Sequence, residues 1–240
     1  DDDDVGLLTV TPDGTVSGTA GDDLIFETGF GAAGPYRGDP EGDQVDSNDA
    51  IVGNVGSNDD IIEAGAGDDF IRSGLGNDTV FGEDGNDFFL HSSGLDVYFG
   101  GAGDDTVQSS GTSGSLNGVT FYGGDGSDFN VLNGLNNTDD SLFGEGGSDN
   151  LGAGGGDDYL DGGAGDDTLG FSYFQSFADG SEHTIVGGES GETFGDELGV
   201  SGGTDRNNIT VTFNGDESGR VTSPDATTTI DFSEIENVRA

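Results

Sequence analysis

The sequence predicts an all-β chain wound as a parallel β-roll, a β-solenoid in two arrays with an irregular N-terminal segment and an antiparallel β cap at the C-terminal end. Three observations carry that prediction. Residues 55–108 divide without insertion into six blocks of nine, VGSNDDIIE, AGAGDDFIR, SGLGNDTVF, GEDGNDFFL, HSSGLDVYF and GGAGDDTVQ. Asp holds the sixth place of every block (Asp60, Asp69, Asp78, Asp87, Asp96, Asp105) and an apolar residue the eighth (Ile62, Ile71, Val80, Phe89, Tyr98, Val107). Finally, 49 of the 240 residues are Gly and only 30% are hydrophobic, which argues against an ordinary globular core.

Each part of the block has a physical role. The first six places need a backbone that turns sharply and exposes its carbonyls, and Gly supplies positive φ without steric cost. The last three places are too few for a helix and enough for one short strand, whose middle side chain points inward. Two blocks then make one coil of 18 residues, and coils stack as parallel strands roughly 4.8 Å apart. Turns on one edge come from alternate blocks. Asp60, Asp78 and Asp96 therefore line a first edge, and Asp69, Asp87 and Asp105 a second.

Carboxylates and main-chain carbonyls gathered without nitrogen or sulfur are hard oxygen donors. They suit Ca²⁺, which takes about 6 to 8 flexible oxygen ligands, better than Mg²⁺, which keeps its waters in a tight octahedron. The pairs Asp60/Asp78, Asp69/Asp87, Asp78/Asp96 and Asp87/Asp105 are each placed to flank one ion. A solvated acidic linker would have no reason to keep an inward apolar residue at every eighth place.

Charge points the same way. The net charge is −44, with 49 acidic residues against five Arg and no Lys. Such self-repulsion keeps a metal-free chain expanded, so ion binding and folding are expected to be one event. Six divalent ions would offset only a minor part of the charge, so further cations or salt are expected as well. A halophilic or marine surface adaptation gives the same Asp excess. There is no Cys, hence no disulfide or thiolate site. No apolar run approaches the roughly 18 residues of a membrane span. Nucleic acid and anionic membrane are poor partners for this charge. The chain opens on DDDD with no signal peptide and no Met, which suggests a processed product or a fragment.

Taken in order, residues 1–54 form an N-terminal cap and acidic loop. Val5 to Val10 is a short apolar stretch before a turn at Thr11 to Gly14. Residues 18–26, GTAGDDLIF, are one isolated repeat with Asp23 and Ile25 in the sixth and eighth places, out of register with the block at 55. Pro35, Pro40 and the acids Asp39, Glu41, Asp43, Asp46 and Asp49 then mark a loop that either holds a cation or is simply solvated. Residues 55–110 are the first array and 111–134 an irregular connector, in which Asp128 heads a partial block with Asn130 in the eighth place, read as a bulge or corner. The period resumes over 135–170, with Asp140, Asp149, Asp158 and Asp167 sixth and Leu142, Leu151, Leu160 and Leu169 eighth. Two more ions are expected, between Asp140/Asp158 and Asp149/Asp167, about six or more in all. Over 171–240, Phe171, Tyr173, Phe174 and Phe177 precede a decayed block, 187–195, with Glu192 where Asp is expected. The alternating Ile209, Val211 and Phe213, a turn at Asn214-Gly215, and Ile230 and Phe232 then suggest antiparallel strands covering the open end.

Places seven and nine face outward, yet carry Ile61, Phe81, Val97 and Phe99 on one sheet and Phe70, Phe88 and Leu90 on the other. Either the chain's own segments 19–51 or 171–177 cover these stripes, or another copy of the chain does. His91 and His183 are the only imidazoles, and His91 reads as an exposed turn residue. No H-E-x-x-H, G-x-S-x-G or Walker sequence occurs, and no carboxylate pair stands out as an acid/base couple. The chain does not read as an enzyme.

The repeats at 55–108 and 135–170, with GGAGDDTVQ matching G-G-x-G-x-D-x-U-x at every place, resemble the RTX calcium-binding β-roll family. That resemblance implies a right-handed roll, type I secretion by a bacterium, and folding outside the cell or at its surface where calcium is plentiful. TVSGTAGDDLI, YRGDPEGDQVD, GGESGETFGDELGVSGG and IDFSEIENV further look like bacterial RTX proteins that often continue into a self-processing Hint domain. The expected function is an extracellular calcium-binding structural or adhesive protein, with other copies of itself or a cell-surface or matrix component as partners. The alternative is the noncatalytic secretion and folding module of a larger enzyme or toxin, and a carbohydrate-binding module using the outward Phe rows is a third.

Overall fold

The computed structural model describes residues 15–18, 21, 24–27, 44–45, 59–91, 93–109, 118–132, 138–173, 182–188, 190–202, 210–213, 217–222 and 229–239. All regular structure among them is strand. β1 (Thr15–Ser17), β2 (Leu24–Glu27), β3 (Gln44–Val45), β4 (Ile61–Ala66), β5 (Phe70–Arg72), β6 (Thr79–Asp84) and β7 (Phe88–His91) begin the chain. β8 (Asp96–Ala102), β9 (Thr106–Ser109), β10 (Val119–Asp125), β11 (Phe129–Val131), β12 (Ser141–Gly146), β13 (Asn150–Ala153) and β14 (Tyr159–Asp161) form the middle. β15 (Thr168–Tyr173), β16 (Glu182–Val186), β17 (Glu197–Gly202), β18 (Thr210–Phe213), β19 (Gly219–Thr222), β20 (Thr229–Ser233) and β21 (Asn237–Arg239) complete it.

From β3 to β18 successive strands alternate between two sheets, ordered β1-β4-β6-β8-β10-β12-β14-β16-β20-β19-β18 and β21-β17-β15-β13-β11-β9-β7-β5-β2-β3. Every pairing within the repeats is parallel and steps by one coil, as in Val80↔Tyr98 and Phe89↔Val107. The all-β parallel roll is thus as expected, and its cause is the alternation of places seven to nine. Ile62, Val80, Tyr98, Phe121, Leu142, Leu160 and Ile185 line the inner face of one sheet and Ile71, Phe89, Val107, Leu151, Leu169 and Leu198 that of the other, all fully buried. Each strand gives the core one large side chain, worth about 1.5–3 kcal/mol of transfer free energy. The turns between them require Gly where coils meet. At Gly103, φ is 131° and a Cβ would collide with the carbonyl of Gly85 one coil below.

The two arrays are one continuous roll. Residues 111–134, read as an irregular connector, contain β10 and β11, which form a coil of their own; β10 pairs with β8 on one side and β12 on the other. The longer spacing there is absorbed ahead of Val119, so Phe121 still falls in the interior column. Asn130, in the eighth place, does not break the strand but changes its bonding. It stays in register with Val107, while its Nδ2 donates to the Gly152 carbonyl (2.7 Å) and its Oδ1 accepts the Gly152 N–H (2.6 Å), so a side-chain amide replaces a ladder step toward β13.

Both ends also differ from expectation. The isolated repeat does join the roll, since Leu24 and Ile25 pair with Phe70 and Ile71. At the other end the parallel winding persists: β16 and β20 extend one sheet, and β17 and β21 the other. The antiparallel cap is confined to β18, β19 and β20. Asp23, Asn214-Gly215 and the acidic segment Asp39, Glu41, Asp43, Asp46 and Asp49 lie outside the described residues.

On the outer face of the first sheet, in-register rings stack at the strand spacing. Phe81, Phe99, Tyr122 and Phe143 lie 4.9, 5.0 and 4.8 Å apart centroid to centroid, and Tyr159 continues the row tilted, at 5.5 Å. Phe70 and Phe88 stack likewise on the second sheet, at 5.1 Å. The rings half-bury one another, and the row runs through both arrays.

Truncating an interior residue removes the contribution of a whole strand. Leu160→Ala is expected to lower the stability of the calcium-loaded protein by about 2–5 kcal/mol, whereas Ser141→Ala on the outer face should stay within about 0.5 kcal/mol, measured by denaturant unfolding at fixed calcium.

Candidate metal centre

Along the second edge one carboxylate per coil is buried directly ahead of its strand: Asp69, Asp87, Asp105, Asp128, Asp149, Asp167 and Asp196. They are stitched together by a side-chain ladder. Oδ1 of Asp87, Asp105, Asp128, Asp149, Asp167 and Asp196 accepts the backbone N–H of the aspartate one coil earlier at 2.7–2.9 Å. The other oxygen, Oδ2, of those same six residues is buried and receives no hydrogen bond. An ionised oxygen so placed demands a cation.

The space in front of each such oxygen is kept clear by glycine. A Cβ on Gly82, Gly100, Gly123, Gly144 or Gly162 would sit on the Oδ2 of Asp87, Asp105, Asp128, Asp149 or Asp167 respectively, and close to the carbonyl oxygen of the matching residue one coil on. A carboxylate oxygen from one coil thus faces a carbonyl from the next across a gap no side chain can enter. The donors are all oxygen and carry net negative charge. They fit Ca²⁺, whose ligand shell is flexible and hard. At the start of the row Ala64 takes the glycine's place ahead of Asp69.

The first edge has the same column of aspartates but a different filling. Asp60, Asp78 and Asp96 are brought together, as are Asp140 and Asp158, all of them buried. The N–H of Asp60 donates to Asp78, that of Asp78 to Asp96 and that of Asp140 to Asp158. Val119 interrupts the column between Asp96 and Asp140, in register with Asp96. Here the turns open on Ser73 and His91; Asp78 Oδ2 and Asp158 Oδ2 are buried without a hydrogen bond, as on the second edge, but protein groups take the second oxygen of Asp96. Asp96 Oδ2 is held by His91 Nδ1 at 2.7 Å and by the Tyr98 hydroxyl, which donates at 2.9 Å; Tyr98 also meets Ser73 Oγ at 3.2 Å. Asp158 Oδ2 lies 3.2 Å from His183 Nδ1. His91 is therefore not the exposed turn residue its block position suggested: it is 1% exposed, because the first place of a block points into the turn.

Three features were not legible in the nine-residue pattern. His183 occupies the sixth-place register beside Asp158, with Nδ1 3.4 Å from the Asp158 N–H. Asp196, rather than Glu192, continues the aspartate column beyond Asp167. The fifth place builds a second ladder of opposite direction, in which Asp68 Oδ1 accepts the Asn86 N–H and Asn86 Oδ1 that of Asp104, both at 2.8 Å. The near-constant Asp or Asn in that place is the signal that marks it.

Electrostatics sharpen the demand for cations. Burial pushes the carboxyls of Asp78 and Asp105 up to about 8, those of Asp140, Asp149 and Asp196 to about 7, and those of Asp87, Asp128 and Asp167 to about 6. Neighbouring carboxylates add to the rise, and the N–H each accepts opposes it.

A parallel roll whose facing turns present carboxylate and carbonyl oxygens across side-chain-free gaps is a calcium-type solenoid. The family model described as the RTX calcium-binding nonapeptide repeat matches in four copies, over residues 54–89, 92–111 and 136–169, and these matches and the winding fit an RTX β-roll. Repeats of this family bind calcium, and the proteins that carry them are typically secreted by bacteria. No curated protein matches the chain. Among the described residues no helix is long and apolar enough to cross a membrane.

The raised carboxyls set a sign for the effect of pH. Their ordinary value is 3.8 and their folded values lie between about 6 and about 8, so between those limits the folded, metal-free chain binds more protons than the unfolded chain. Its stability is then present at acid pH and is lost as pH rises through the folded values. In chelated, calcium-free buffer, acidification from pH 8 to about 5.5 should increase the far-UV β signal; a signal that stays flat or falls counts against protons and calcium satisfying the same oxygens.

Proposed function

We propose that the protein is an extracellular structural protein, without catalytic activity, whose roll is assembled by calcium. The observation that carries this reading is the file of unpartnered Oδ2 atoms at Asp87, Asp105, Asp128, Asp149 and Asp167, each facing a carbonyl of the next coil. In this proposal one ion sits at each of these gaps and clamps two coils, with Asp69 contributing at the start of the row. On the first edge His91 and Tyr98 already satisfy the second oxygen of Asp96 and Val119 interrupts the column, so Asp60, Asp78, Asp96, Asp140 and Asp158 bind fewer ions than their number suggests. Neutralising the row removes the repulsion that keeps the chain expanded and lets the one-residue-deep interior close.

A calcium titration followed by circular dichroism tests this. Cooperative strand formation is expected at about 10⁻⁴ to 10⁻³ M calcium, reversed by EGTA; full order after exhaustive chelation would sink the proposal. Gly100→Ala, which puts a methyl group against Asp105 and the Gly123 carbonyl, should raise the calcium midpoint, while Ser73→Ala on the first edge should leave it nearly unchanged.

An adhesive or self-assembling role is part of the same reading, supported by the outward aromatic row from Phe81 to Tyr159 and by Phe129, which is 41% exposed. Sedimentation velocity should then show a mass increase as calcium is added; a monomer at every calcium concentration would remove assembly from the proposal.

A further inference from the structure

The second edge ends in two turns that depart from the repeat. The turn from Gly187 to Asp196 is longer than its predecessor from Gly162 to Asp167, and its extra residues carry Glu192. The turn after it is cut short. Ser233 pairs with Val186, and Asn237 with Glu197, so only Glu234, Ile235 and Glu236 span what a repeat crosses with six residues. A longer side chain makes up the difference. Glu236 Oε2 accepts the Asp196 N–H at 2.5 Å, the same bond an aspartate makes in every coil below. Gly195, at φ 79°, leaves the room for it, since a Cβ there would lie 2.6 Å from Glu236 Cγ.

These changes gather three carboxylates outside the nonapeptide repeats. One oxygen each from Glu192, Asp196 and Glu236 lies within 4.8 Å of the others. Asp196 is fully buried; its Oδ1 accepts the Asp167 N–H and its Oδ2 has no hydrogen bond. A Cβ on Gly187 would collide with that Oδ2 and with the Glu234 carbonyl oxygen, so a gap walled by oxygen is preserved here as in the repeats. Glu192 is half-buried and Glu236 exposed, which leaves open positions for water in a cation's shell. Burial and then the charges of Asp167 and Glu236 push the Asp196 carboxyl up to about 7.

We propose that Glu192, Asp196 and Glu236, together with the Glu234 carbonyl, form a further calcium site, distinct from the repeats, that fastens the last strand, β21, to the body of the roll. The proposal shares with the preceding one the identity of the ion, but it rests on residues the repeat does not supply. All its ligands are oxygen, three carry charge, and the shell can expand with water, which favours Ca²⁺ over Mg²⁺.

The full-length chain is compared with the Glu192→Gln/Glu236→Gln double variant and with Glu192→Gln alone. Gln at 236 keeps an acceptor for the Asp196 N–H. Native mass spectrometry in calcium is expected to count one ion fewer in the double variant, and hydrogen exchange to show lost protection at residues 237–239 with residues 79–107 unchanged. Magnesium in place of calcium should not restore that protection. An ion count and a protection pattern equal to those of the wild type would overturn the site while leaving the repeat sites standing. A wild type that takes up no calcium would overturn both. If the double variant does not fold, Glu192→Gln decides, because it leaves Glu236 and its bond to the Asp196 N–H in place: an unchanged ion count and unchanged protection at 237–239 overturn the site.

Discussion

Buried carboxylate oxygens without donors, in file from Asp87 to Asp196, are the constraint on which the roll depends. Each strand supplies one interior side chain, so the apolar core is a single file of residues between two sheets and cannot by itself offset a row of desolvated charges. Removing one partner from a buried charge leaves a penalty of several kcal/mol per ion. A fold that repeats this arrangement coil after coil is stabilised by whatever neutralises those oxygens, cation or proton. The backbone ladder and the carboxylate ladder share the same residues, so the proposed ion binding and the winding act on the same atoms.

The winding itself was legible because two demands coincide in nine residues. An apolar eighth place reports the interior, and an Asp in the sixth reports the turn, so Ile62 through Leu169 and Asp60 through Asp167 fall where the pattern puts them. The pattern lost sight of the fold where spacing changed without changing register. The count is broken before Val119 and between β2 and β4, yet β10 and β2 hold their register in the stack, because strand pairing depends on neighbours in space and not on an unbroken count. Asn130 shows the same tolerance, its amide imitating the peptide groups it displaces. At the C-terminal end the repeat decays, yet Leu198, Ile185 and Phe232 still fill interior positions, and parallel winding persists where strand alternation alone suggested hairpins.

The inequality of the two edges was written in the first place of the block, not in the sixth. On the second edge that place reads Gly82, Gly100, Gly123, Gly144 and Gly162; on the first it reads Ser73, His91, Leu135 and Ala153. A glycine there leaves oxygen facing oxygen across an open gap, whereas His91 brings a donor of its own to Asp96. Counting aspartates alone treats both edges as equivalent. Asking what each aspartate's second oxygen touches sets Asp96 apart, and it also locates the longer-armed Glu236 that a search for Asp passes over.

The stacked rings on the outer sheet carry a practical consequence. The chain contains no Trp, and Tyr122 is sandwiched between Phe99 and Phe143, at 5.0 and 4.8 Å, only when three successive windings are aligned. The difference in ultraviolet emission between the chain and its Tyr122→Phe variant isolates this ring among the five tyrosines, and is thereby an intrinsic optical gauge of alignment at the midpoint of the solenoid, where the two stretches of repeat are spliced, read without attaching a dye.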